Sequence, residues 1–220
     1  MKNDLLALVL FCIPFLGLSQ KIYQFDTLLE YEFTYEKDST NTVHYIYLTN
    51  SLNNSYHLVL REVDSLNYSI YFRDNELFTA NSKISKVDFE KADVINNDCQ
   101  GLLKWDNSKY QKRLSKYNIT EFLETDGAQE YRLFDASHTN TEDENRAYNY
   151  YVLKQDETVL PLFNRPLDYE VWNTEKSIPN GTFIEFGTFS KKYGFAKYML
   201  KLKSKINKRF QVPENCSAFN

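Results

Sequence analysis

Glycine and proline are scarce in this chain, 6 and 5 residues in 220, which excludes collagen-like and low-complexity linker architectures. Cysteine is scarcer, at 3 residues, and no pair has the short spacing of a zinc or redox motif. Only three histidines occur, His44, His57 and His138. There is no glycine-rich phosphate loop and no G-x-S-x-G string, so the motifs announce neither nucleotide binding nor a serine hydrolase. The longest apolar run, Leu5 to Leu18, is fourteen residues broken by Pro14. A transmembrane helix needs about 20.

That run has the length of a secretory h-region, about 7–15 residues. Gly17 and Ser19 supply the two small residues that a signal peptidase reads, so residues 1–19 are read as a cleavable signal and 20–220 as a single β-rich domain. Asp4 offsets Lys2 in the leading segment, which is weak for such a signal, and a buried N-terminal helix is the competing reading. Cys12 lies inside the apolar run, without the small residues that precede a lipid-attachment cysteine. The expected location is secreted or periplasmic, with no transmembrane segment in the mature chain.

What the chain has in quantity is aromatic residues, 17 Tyr and 16 Phe, set at alternating positions. "LEYEFTYE" places Leu29, Tyr31, Phe33 and Tyr35 against Glu30, Glu32, Thr34 and Glu36, the two-residue period of a half-buried strand. "TVHYIYLT" is apolar on both sides, with Val43, Tyr45 and Tyr47 against His44, Ile46 and Leu48, which predicts a strand covered on both faces. "YHLVLREV" and "NYSIYFRD" continue the pattern. The Asn/Ser/Asp clusters between them are turn-formers, and strands about a dozen residues apart predict an antiparallel meander.

The stretch 85–125 is harder to read. "KVDFEKADVI" fits a short helix, and "SKYQKRLSKYNITEFLE" fits helix or strand. "YYVLKQDETVLPLFNRPLDYEVW" reads as strand, turn and second strand, with Leu167, Tyr169 and Val171 alternating in the second. Asn180-Gly181 leads into another strand. In the C-terminal "YMLKLKSKINKRF", strict alternation favours a strand over a helix. That strand would turn Leu200, Leu202 and Ile206 inward and Lys201, Lys203 and Lys205 outward.

Charge is uneven. The chain carries a formal net charge of −4, yet Ser190 to Pro213 holds eight basic residues and no acidic one. Lysines at alternate positions guard a strand edge against pairing. The same lysines, Lys201, Lys203 and Lys205, are also the candidates for contact with an anionic envelope surface. Cys99 and Cys216, the two cysteines outside the leader, form an even pair in an exported chain, which favours a disulfide over two free thiols.

Catalytic readings are weak. His44 and His57 both fall within strands, where a structural histidine outweighs a catalytic one. His138, with Asp135, Glu142, Asp143 and Glu144, lacks the glycine and spacing of a calcium loop. Trp105 and Trp172 suit a sugar-stacking platform, though aromatic residues at strand spacing more often build a core. No catalytic residue, metal ligand or cofactor is assigned, and an exported acidic chain without RNA-binding motifs is not expected to bind nucleic acid.

"YYVLKQDETVLP" and the terminal "KINKRFQVPEN" carry a family resemblance. Asp156 and Pro161, then Phe210 and Pro213, resemble the turn and the closing strand of LolA-like lipoprotein-carrier half-barrels. The GLPGLI-type secreted proteins of Bacteroidetes have a similar strand pattern, although this chain lacks that string. The resemblance spans about a third of the chain. It implies a mainly β fold with a few short helices, an antiparallel curved sheet of half-barrel type, and a cavity for acyl chains. The function expected is a non-enzymatic binding module for an apolar or amphiphilic ligand, with a lipid or other amphiphile as partner. The alternative is an envelope interaction protein using an exposed sheet face or edge. A carboxylate-based hydrolase ranks last.

Overall fold

The computed structural model describes residues 20–125, 127–135, 147–213 and 215–216. The apolar N-terminal segment, 1–19, and the polar stretch 137–145, with His138, lie outside them. The elements are β1 (Gln20–Tyr35), β2 (Asp38–Asn50), β3 (Asn53–Glu62), β4 (Asn67–Asp74), β5 (Phe78–Ser85), α1 (Lys86–Lys91), β6 (Val94–Asn96), β7 (Leu102–Lys104), α2 (Ser108–Gln111), β8 (Tyr117–Thr125), β9 (Ala128–Asp135), β10 (Tyr148–Gln155), α3 (Pro166–Glu175), β11 (Gly181–Ser190) and β12 (Gly194–Pro213).

The strands form one curved sheet that does not close, a half-barrel. Its order is β7-β5-β4-β3-β2-β1-β12-β11-β10-β9-β8, and β6 lies parallel to Arg209–Gln211 of β12. The strands along this path are antiparallel, and β1 to β5 make the meander that their spacing predicted. The undecided stretch divides. Lys86–Lys91 is helical, capped by the Ser85 hydroxyl, which accepts from the Asp88 N–H. Residues 108–116 make short helical turns before β8 begins.

One expected strand is a helix. Leu167 to Val171 fall within α3, which has Pro166 in its first turn and ends at Lys176 in the left-handed region, φ 50°. Proline at the start of a helix gives up an N–H that would have no partner there. The strand reading failed because Asp168, Tyr169, Glu170, Val171 and Trp172 are all buried. A helix covered all round shows no 3.6-residue period in its sequence.

The cores are two, on opposite faces. Leu48, Leu58, Leu60, Phe72 and Phe210, each fully buried, belong to the first. Tyr47, Tyr31, Tyr151, Phe163, Trp172 and Phe186 belong to the second. Because successive side chains on a strand point to opposite sides, adjacent Tyr47 and Leu48 show that β2 is packed on both faces, as its sequence predicted. In β1, Tyr23 and Phe25 join the first core and Leu29 and Tyr31 the second. The exchange falls where the β1–β12 register shifts between Phe25 and Thr27, and a bulge there re-aims the side chains that follow.

α3 and the segment before it cover the second core. The Trp172 indole N–H donates to the Ile178 carbonyl at 2.8 Å. The Asp168 carboxylate accepts from Asn149 Nδ2 and from the Tyr151 hydroxyl. Gly181, where β11 enters, lies so close to β10 that a Cβ would sit 2.5 Å from the Lys154 carbonyl oxygen.

Cys99 and Cys216 are joined by a disulfide with a Cα–Cα distance of 5.3 Å and a sequence separation of 117. It ties the loop between β6 and β7 to the chain just after β12, beside the first core. Cross-linking so long a loop restricts the unfolded chain strongly. Replacing both cysteines with serine is expected to lower the unfolding free energy by about 2–5 kcal/mol in denaturant titrations. Reducing agent should destabilise the native chain and leave the double variant unchanged.

Candidate functional site

The pairing registers align three rows of side chains on the second-core face of β2, β3 and β4. Tyr45 lies opposite Arg61, and Arg61 opposite Ser69. Tyr47 lies opposite Val59, and Val59 opposite Tyr71. Thr49 lies opposite His57, and His57 opposite Arg73. The chain at Phe163 and Asn164 crosses the third row, where the Arg73 guanidinium donates to their carbonyls at 2.8 and 3.0 Å. The first two rows, with His57, Asn164 and Tyr198, line an open groove of about 310 Å³.

Aromatic rings wall this groove. Tyr45 and Tyr198 stand 5.4 Å apart between centroids, and Tyr47 and His57 6.1 Å. Tyr198 is backed by Phe186, stacked at 4.6 Å and 12°. Polar atoms lie beneath. His57 is 1% exposed and Arg73 2%, yet His57 Nδ1 and Arg73 Nε have no hydrogen-bond partner. The large majority of buried side-chain polar atoms find one. Asn164 Oδ1, in the groove lining, has none either, so three such atoms gather at this groove, whereas a groove of about 430 Å³ beside Asn96–Asp98 has one, Asn97 Oδ1. Burial first, and then the Arg73 cation, hold the His57 pKa well below its ordinary 6.5, so the imidazole is neutral.

Two further grooves have no such atom in their lining. One of about 750 Å³ lies along Lys203–Ile206. There Asp26 is taken up by the Ser51 N–H and hydroxyl, and Lys203 by Asp156 at 3.3 Å. Another, of about 520 Å³, lies at the β11–β12 hairpin beside Tyr35 and Tyr193.

The C-terminal lysines are placed differently from the simple alternation. Glu30 pairs with Leu202 and Tyr31 with Leu200, leaving Lys201 as an extra residue in β12. This bulge puts Leu200 in the second core and leaves Leu202 46% exposed. Leu202 therefore does not point inward, and the three lysines do not share one face. Lys201 reaches Glu32 at 3.3 Å, whereas Lys203 lies opposite Leu29 and donates to the Thr182 hydroxyl at 2.9 Å. Lys205 is exposed. Ile206 packs against the first core.

The remaining candidates are separate. His44 is exposed opposite Glu32, on the face of β2 away from His57. Trp105 stacks on Tyr110 while Trp172 lies in the second core, so they form no shared platform. Asp168 and Glu170 bind different partners, Asn149 and Tyr151 for the first, Gln111 for the second. Among the described residues, no three His, Cys, Asp or Glu side chains converge to hold a metal ion. No helix among them is long and apolar enough to cross a membrane.

Sequence reading missed the groove itself. Its signal was present in the alternation of "YHLVLREV" and "NYSIYFRD", where His57, Arg61 and Arg73 sit on the face opposite the leucines. Only the register sets them beside Tyr45 and Tyr47.

Below pH 6.5 the unfolded chain takes up a proton at His57 that the native chain refuses. The stability this site contributes is present above pH 6.5 and is lost as pH falls through the window below it. Compared with His57→Gln, the native chain should lose up to about 1.4 kcal/mol more per pH unit between about pH 6.5 and 5 in urea titrations. Equal slopes would mean that His57 is charged in the fold. No family model matches the chain, and no curated protein is significantly similar to it.

Proposed function

We propose that this chain is an exported, non-enzymatic binding module that holds a small amphiphilic ligand in the tyrosine groove. The observation that carries the reading is an open, aromatic-walled groove floored by buried polar atoms without partners. Ligand sites combine an apolar wall with a few placed polar groups, and 310 Å³ is at the small end of their range. The half-barrel resemblance supports an amphiphile as the ligand class. It suggests a ligand inside the curve of the sheet, but side chains fill both faces of the central strands here. The proposed ligand therefore lies in a surface groove.

Native mass spectrometry of the exported chain tests the reading. Val59 lies in the middle row of the groove, partly buried against the edge of the second core, so Val59→Trp would put its added bulk into the groove. The unaltered chain should carry a small-molecule adduct, or gain one from a bacterial lipid extract, and the Trp variant should carry none at an unchanged Tm. Adducts of equal abundance on both chains would place the ligand elsewhere and sink the proposal.

The alternative, an envelope interaction protein working through a strand edge, has one observation of its own. β12 pairs with β11 up to Met199 and with β6 from Arg209. Among the described strands, none pairs with 200–208 on the side away from β1. If this lysine-bearing edge meets an anionic surface, the chain should sediment with anionic vesicles and not with neutral ones. The triple change of Lys201, Lys203 and Lys205 to Gln should abolish that at an unchanged Tm. Sedimentation unaffected by the change would leave the lysines as edge guards.

A further inference from the structure

We infer that the groove selects a small ring-bearing organic anion, with its ring against the tyrosines and its carboxylate, sulfonate or phosphate on the Arg61 guanidinium. This rests on the groove being the binding site and adds the charge of the ligand.

The charge inventory carries the inference. Of the residues lining the groove, Arg61 alone is charged, and no Asp or Glu is among them. Arg61 is exposed at the rim and makes no ion pair among the described residues. Its guanidinium is left to solvent, with the planar fork that matches an anion's oxygens.

The floor adds to this. Arg73 is 2% exposed. Its terminal nitrogens donate to the neutral carbonyls of Phe163 and Asn164, and the Tyr71 hydroxyl is a further neutral partner, while its Nε has no hydrogen-bond partner. Buried charges are normally paired, because desolvating one alone is expensive. Asp168 feels the Arg73 charge, but its oxygens are already taken by Asn149 and Tyr151. His57, beside Arg73 in the same row, is neutral and offers no compensating charge. The groove thus has one cation at its rim and one buried beside it under the Phe163–Asn164 cover, with no acid in its lining.

A cationic ligand would meet both arginines and be repelled. A neutral apolar ligand would leave Arg61 unsatisfied at its edge. An anion with a ring satisfies Arg61, gains from the field of Arg73, and packs against Tyr45, Tyr71 and Tyr198.

A matched pair of fluorescent probes isolates the charge. 1-Anilinonaphthalene-8-sulfonate and N-phenyl-1-naphthylamine share a ring system and differ by the sulfonate. The unaltered chain should bind the sulfonate about tenfold or more tightly than the amine, as one charge-assisted contact gives. Arg61→Gln should remove that preference, leaving the amine unchanged, and Val59→Trp should abolish both. Arg61 is exposed, so its variant should keep the native Tm. Equal binding of the two probes would overturn the anion inference and leave the groove reading standing. Binding of neither probe, or equal binding to the Val59→Trp chain, would overturn both. A sulfonate preference that survives Arg61→Gln would overturn the assignment of the anion to this groove.

Discussion

The structure depends on three strands that are buried on both faces. β1, β2 and β3 place Phe25, Leu48 and Leu58 in one core and Leu29, Tyr47 and Val59 in or against the other. Neither half of the sheet could be removed without exposing one side of these strands to water. Large side chains buried in this way contribute about 1.5–3 kcal/mol each. Alternation must hold on both faces at once, so a slip of one residue would exchange the two cores' side chains rather than merely expose one set.

That constraint also explains the irregularities. A strand as long as β12 cannot serve both cores with uninterrupted alternation, because the sheet twists along its length. The register shifts at Phe25/Thr27 and Glu30/Tyr31 absorb the mismatch. One lets β1 pass from the first core to the second. The other sends Leu200 to the second core and turns Leu202 to solvent. The unpaired stretch of β12 lies between these adjustments, where the sheet divides between β11 and β6.

The groove is a consequence of the same packing. α3 and the chain before it cover the second core but stop short of the first two rows of Tyr45, Arg61, Ser69 and Tyr47, Val59, Tyr71. Their edge is fixed by Arg73 holding the carbonyls of Phe163 and Asn164. The arginine that anchors the cover therefore also places a buried cation beside the opening, and the cost of burying that charge is borne by the stability of the fold.

Local periodicity determined a good deal by itself. The two-residue alternation of Leu29 to Tyr35 and the two-faced run at Tyr45–Leu48 specify strands and their burial, because a pleated strand exposes alternate side chains whatever it pairs with. The turn clusters set the meander. Tertiary structure decided the rest. α3 reads as a strand because a helix buried all round has no amphipathic period. The bulge at Lys201 leaves no local mark, since it answers the twist of the whole sheet. Arg61, Tyr45 and Ser69 form one row only because two registers bring residues from three strands together. The spacing along the chain cannot encode that row, because it depends on which strands pair and in what register.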